Sequence, residues 1–365
     1  MVMNENYLLT KDEQNFYEGY KKSNRKKNLL ILILFILVIV FSIVSVLVGS
    51  SNIGFIESLK GIFMQGSDKA NLIVWNIRMP RLIAAIIAGF GLAAAGTVMQ
   101  GVLKNPMVSP STLGVSNAAV FGANIAIIVL GAGVFHSTDG TSLTISNPYL
   151  VSSIAFLFAF ISVLLILFLS KFRKFSPETI VLSGVAIGTL FSAGTTLVQY
   201  FSLDTQVAAA VYWSFGDLSR ATYSEDLIMF IIVGISFIIF YILRHKLNAL
   251  SSGEENAKSL GVNVELVRFI VLLLSSLITA VCVSFLGVIG FIGLAAPQII
   301  KRIIGNNMRF TLFASSLFGS VLLLVCDTLA RVIIPGSNLP VGAVTAMFGA
   351  PIFIFILFNG RRHRG

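Results

Sequence analysis

Polar and apolar positions along this chain alternate in blocks, not singly. Apolar runs of about 20 residues, the length that carries a helix across roughly 30 Å of hydrocarbon, recur from end to end. The pattern predicts ten membrane segments, at roughly 28–49, 82–103, 113–132, 150–170, 179–201, 226–243, 266–286, 288–304, 310–331 and 340–359. Nothing is left over between them for a soluble domain. The fold class expected is therefore all-α, a polytopic membrane protein with about ten transmembrane helices. A polar tail (1–27) precedes the membrane domain (28–360) and a short basic tail (361–365) follows it. One segment is oddly punctuated: residues 287–305, GVIGFIGLAAPQIIKRIIG, hold four glycines, a proline and two adjacent cations.

Composition excludes the soluble alternative. Of the 365 residues, 56% are hydrophobic and 12% charged, with a mean hydropathy of +0.90, more apolar surface than a water-soluble domain of this size can hide. The net charge of +10 does not indicate nucleic acid, because the cations lie between apolar runs and form no single polar face. Their distribution sets an orientation instead. With the N-terminus in the cytoplasm, 20 of the 26 Lys and Arg fall in inside connections; Lys60, Lys69, Arg78, Arg81, Arg220 and Arg331 are left outside. That is the bias of the positive-inside rule. The cluster Lys21–Lys27 precedes an apolar run too long for a secretion signal, which reads as an uncleaved first span. Cys282 and Cys326 are isolated thiols in apolar runs, so no disulfide framework, metal or cofactor is expected.

The spans lack the ionisable groups that ion-coupled carriers keep at membrane depth. Asp327 is the exception, one turn before Arg331, where an intrahelical ion pair accounts for it. No GxxxxGK[ST] phosphate loop occurs, so the chain is not expected to be an enzyme, and an ATP-driven system built on it needs a separate motor subunit. The inside connection 247–268, LNALSSGEENAKSLGVNVELVR, is long enough to be gripped. Glu254, Ala257 and Leu260 stand at helical spacing between Gly253 and Gly261, which fits a short glycine-bounded helix, although a plain solvated loop is the default. Around 84–96 the small residues suit close helix packing. Gln100, Asn105 and Pro106 add uncharged hydrogen-bonding groups and a helix breaker at the inner end of the second span.

Five motifs in register resemble the FecCD family of ABC-transporter permeases: Arg78-Met79-Pro80-Arg81; Gly96, Gln100, Asn105-Pro106, Pro110 and Leu113-Gly114; Gly253-Glu254 with Ala257 and Leu260-Gly261; Gly290-Phe291-Ile292-Gly293-Leu294 with Pro297; and Leu339-Pro340-Val341-Gly342 with Gly349-Ala350-Pro351. The likeness runs from about residue 70 to 360. It implies a permease with ten helices, pairing with an identical or homologous second permease, driven by an ABC ATPase and fed by an extracytoplasmic substrate-binding protein or lipoprotein in a bacterial cell membrane, with both termini cytoplasmic. By resemblance, Gly253, Glu254, Ala257, Leu260 and Gly261 couple to the ATPase. Arg78, Arg81 and Arg331 dock the binding protein, an interfacial cation being the alternative for each. Gln100, Asn105, Pro106, Met107, Pro297 and Gln298 belong to the pathway and its inner gate. Pro297 is expected to end or bend its helix just before the cytoplasmic face. The chain departs from the family pattern at Met107, where Leu is frequent, at Gln298, where relatives carry His, and at Asn338, where many carry Glu. The cargo expected is a ferric siderophore or other iron chelate, with haem or cobalamin as alternatives on the same scaffold. An ion-coupled secondary carrier and a structural scaffold are the readings from other classes.

Overall fold

The computed structural model describes residues 11–49, 54–132, 147–334 and 339–359. Pro335, Gly336, Asn338 and the tail 361–365 lie outside the described residues. Every predicted segment is helical: α1 Lys11–Leu47, α4 Met79–Val102, α5 Val115–Asn124, α6 Pro148–Lys171, α7 Pro177–Tyr200, α9 Tyr223–Ile242, α12 Val264–Leu286, α13 Ile292–Ile304, α14 Met308–Val332 and α15 Val341–Asn359. Between them lie α2 Phe55–Ile62, α3 Asp68–Ile73, α8 Asp204–Ser214, α10 Arg244–Ser252 and α11 Glu254–Ser259. Among the described residues seven helices are long and apolar enough to cross a membrane, and shorter apolar helices accompany them. Two helices start well before their apolar runs. The N-terminal tail is already helical from Lys11, and α3 leads through a π turn at Val74–Arg78 into α4, so that the second span is one run from Asp68 to Val102.

The centre of the bundle is α4. Of its most apolar window 83% is buried, against 22% in α1 and in α7. Small residues put it there. In lipid, helices associate through packing, so the sequence that permits the closest approach takes the middle. At Gly89 an added Cβ would stand 2.5 Å from the Gly319 carbonyl oxygen and 2.7 Å from Ser320 Cα, so α4 and α14 touch backbone to backbone, and Ser320 Oγ donates to Ile86 O at 2.8 Å. At Gly96 a Cβ would overlap the Gly293 carbonyl of α13.

The punctuation of residues 287–305 is explained by backbone. Residues 287–291 are not helical. α12 stops at Gly287, whose φ of +76° suits glycine, and the chain then lies against residues 214–217 and 339–342. Asp217 N donates to Leu286 O at 2.8 Å, Val288 N to Ser214 O at 3.4 Å and Val341 N to Gly216 O at 3.0 Å. Irregular backbone at membrane depth is tolerated where protein buries it. α13 then has only 13 residues, about 20 Å of helix, less than a full crossing.

Candidate functional site

Pro297 lies inside α13, which continues to Ile304; of the two expectations for it, ending or bending its helix, the first is corrected. A proline has no N–H for the carbonyl four residues back, here Gly293 O. Gln100 of α4 supplies the missing donor: its Nε2 lies 3.3 Å from Gly293 O and 3.4 Å from Leu294 O. Its Oε1 accepts from Gln298 Nε2 at 2.6 Å and from Lys301 Nζ at 3.1 Å, and Gln298 Nε2 also reaches Pro106 O at 3.3 Å. Gln100 is 4% exposed, so one buried amide joins α4, α13 and the turn at 105–107. Below this node a cavity of ≈ 520 Å³ is lined by Gln100, Lys104, Pro106, Gln298, Lys301 and Arg302, with Ser251 of α10 on its wall. Asn105 caps its own turn, its Oδ1 accepting from Met107 N at 2.9 Å, while Met107 is 55% exposed. Replacing Gln100 with leucine is expected to cost about 2–3 kcal/mol, since it strands a buried carbonyl and an amide. Gln100→Glu keeps an acceptor for Lys301 but sets a carboxylate oxygen against the Gly293 and Leu294 carbonyls, so it should not recover the loss. Denaturant unfolding of the purified protein measures both.

At the same end of the bundle stand α10 and α11. Gly253 (φ +143°) and Gly261 (φ +77°) bound α11, as the glycine spacing predicted. Ala257 is fully buried and Leu260 is 72% exposed, so α11 seats one small side chain and presents one large apolar one. Glu254 fixes the seat. Its Oε2 accepts from Arg268 Nη2 at 2.8 Å and its Oε1 lies 3.0 Å from Lys258 Nζ, while Arg268 Nη1 donates to Phe175 O at 3.3 Å. The hydrogen bond from Lys258, then those charges and contacts of Arg268 that outweigh desolvation, hold the Glu254 carboxyl below its ordinary range.

The opposite end carries Arg78, Arg81 and Arg331, and the structure turns all three inward; each is 4–5% exposed. Arg81 Nε meets Asp327 Oδ1 at 2.7 Å, and Arg331 Nη2 lies 3.1 Å from Asp327 Oδ2. Arg331 also donates to Ser45 O (3.0 Å), Val48 O (2.9 Å) and Ser45 Oγ (2.7 Å). Arg78 donates to Val46 O (2.5 Å) and Ser58 Oγ (3.0 Å). Two arginines thus satisfy the carbonyls that a helix C-terminus leaves without partners, here those of α1, and the cations suit that end of its dipole. The intrahelical pair read from the sequence is present, but Asp327 has a second partner on α4.

Sequence reasoning missed three groups. Lys301, one of the two adjacent cations in residues 287–305, bonds to Gln100. Arg268 was counted among loop cations, yet it is 3% exposed. Asp226, the first residue of the sixth predicted segment, is 3% exposed with neither carboxylate oxygen hydrogen-bonded, so Asp327 is not the only buried acid. In the sequence, Asp226 reads as an acid in a first helical turn, and nothing local marks it as covered.

A model of the FecCD transport family matches residues 36–359. An ABC transporter permease protein of Methanocaldococcus jannaschii is 48% identical over 94% of this chain and 97% of its own length. The Fe(3+)-citrate import system permease protein YfmE of Bacillus subtilis is 35% identical over 94% of this chain and 99% of its own. Among solved structures, one described as an inward-facing conformation of a metal-chelate-type ABC transporter superposes with a TM-score of 0.77 and 28% identity, over 90% of this chain and 98% of that one.

Proposed function

This chain belongs to the FecCD transport family and is a membrane permease subunit of an ABC importer; from that premise we propose that its cargo is an iron chelate, of the iron(III)–carboxylate kind. The relative named for Fe(3+)-citrate import, aligned over nearly the whole chain, supports the cargo. The observation that carries the mechanism is the glycine-bounded α11, seated by Ala257 and Glu254 with Leu260 outward. Under this reading a separate ATPase grips α10 and α11 from the cytoplasm, and both termini lie on that side, in keeping with the cation bias of the sequence. Movement of α11 reaches the seam of α4 and α13 through Arg268 and through Ser251 beside the Gln100 cavity. Gln100, Asn105, Pro106, Met107, Pro297 and Gln298 then form the inner gate. A binding protein docks at the opposite end, where Arg78, Arg81 and Arg331 shape the rim from beneath. A second permease, identical or homologous, packs along α7, whose exposed face carries Ala186, Thr189, Ala193 and Thr196, small residues of the kind that helices in lipid bury against each other.

Vesicles reconstituted with the permease, its ATPase and its binding protein test the reading. Iron–citrate uptake is expected to require ATP and the binding protein, with none under a proton gradient alone. Uptake driven by the gradient would restore the secondary carrier. ATP-dependent uptake of haem or cobalamin with none of iron–citrate would replace the cargo.

A further inference from the structure

The first helix is longer than its task in the bundle. α1 has 37 residues, about 55 Å of helix, against roughly 40–45 Å for a bilayer with its headgroups. The family match begins only at residue 36, and beyond helping to set the orientation the basic stretch of α1 has no part in the transport reading. Lys21, Lys22, Arg25, Lys26 and Lys27 fall within seven residues, about 10 Å of helix, the depth of one headgroup layer. Between Glu18 and Glu57 there is no acid, and among the described residues no ion pair engages these cations. Lys27 is turned aside, its ammonium 5.4 Å from the ring centre of Phe310 on α14.

Lys22, Arg25 and Lys26 do something different. With Asn28, Leu29 and Leu32 they line one surface recess of ≈ 450 Å³. The spacing 22, 25, 26, 29, 32 places them on one helical face, cations toward the end of the helix and leucines toward the membrane. Leu29 and Leu32 are 56% and 53% exposed. A face that is cationic for one turn and aliphatic for the next has two-part complementarity: an anionic head at the level of Arg25 and an apolar chain running down beside Leu32.

We propose that this face of α1 is a binding site for an anionic phospholipid, the phosphate held by Lys22, Arg25 and Lys26 and the first methylenes of an acyl chain lying on Leu29 and Leu32. A partner protein at the membrane surface could answer the cations but not the leucines, which begin the apolar run and lie at hydrocarbon depth. A free anion likewise gains nothing from the aliphatic half. Each cation near an anionic leaflet strengthens attraction by about fivefold, so three acting on one headgroup give on the order of a hundredfold preference for the anionic lipid.

The test uses the full chain in mild detergent, titrated with phosphatidylglycerol or with phosphatidylcholine of the same acyl chains, bound lipid being counted by native mass spectrometry. The wild type is expected to hold phosphatidylglycerol selectively, and the triple variant Lys22→Gln, Arg25→Gln, Lys26→Gln to lose most of that preference. The double variant Lys171→Gln, Lys174→Gln, which removes cations elsewhere at the same end, should keep it. Excess inorganic phosphate should leave the lipid bound. Equal affinity for the two lipids, equal loss in both variants or displacement by phosphate would each overturn the site. So would a triple variant that loses its ATPase while keeping the lipid, since α1 would then be a protein contact.

Discussion

Asp327→Ala is expected to destabilise the folded chain by about 3–5 kcal/mol, the range for breaking a buried pair by removing one partner. The carboxylate is fully buried and faces Arg81 of α4 on one oxygen and Arg331 of its own helix on the other. Without it two guanidiniums remain in a nearly water-free space. Arg331 would keep its bonds to Ser45 and Val48, but Arg81 would keep only Asp217, at 4.0 Å. Asp327→Asn, which leaves an acceptor for Arg81 Nε, should cost distinctly less. Denaturant unfolding of the three proteins in one detergent ranks them, and an alanine variant as stable as the wild type would show that the network holds nothing together. The same burial bears on receptor docking. If a binding protein docks at this end, as proposed, arginines only 4–5% exposed would act through the rim they brace and not by direct contact.

How much of this was legible in the sequence depends on distance along the chain. Each predicted segment became a helix because hydropathy over 20 residues is a local property. So is the glycine frame of α11, where Gly253 and Gly261 take the positive φ that other residues rarely adopt. The half-length of α13 was not legible. Residues 287–291 are as apolar as the helix that follows, and what keeps them out of the helix is backbone contributed by 214–217 and 339–342. Arg81 and Asp327 show the same limit, since 246 positions separate them and neither predicts the other's burial. Gln100 was noticed as a polar group at the end of a span. Its use became clear only when Pro297, nearly two hundred residues later, was seen to leave the Gly293 carbonyl without its helical donor.

Glu254→Arg is expected to abolish capture of the ATPase by the solubilised permease, a loss of about 30-fold or more, equivalent to at least about 2 kcal/mol at an interface hot spot. The effect would come less from a direct contact than from the seat of α11. An arginine there faces Arg268 and Lys258, so the two bonds that fix the helix become repulsions, and Leu260 is no longer held outward. Two comparisons separate seat from contact. Glu254→Gln keeps an acceptor for Arg268 and should weaken capture only modestly. Leu260→Ala should reduce capture while leaving unfolding unchanged, because that side chain touches solvent and not the bundle. Acid should mimic the glutamine variant, because a protonated carboxyl is neutral and keeps an acceptor for Arg268. A carboxyl held below its ordinary range binds its proton less readily when folded, so its contribution is complete above that range and is lost as pH falls through the lowered value. Capture should therefore be flat from neutral pH down to the ordinary carboxylate range and fall only in stronger acid. Undiminished capture by the arginine variant would remove α11 from the coupling surface.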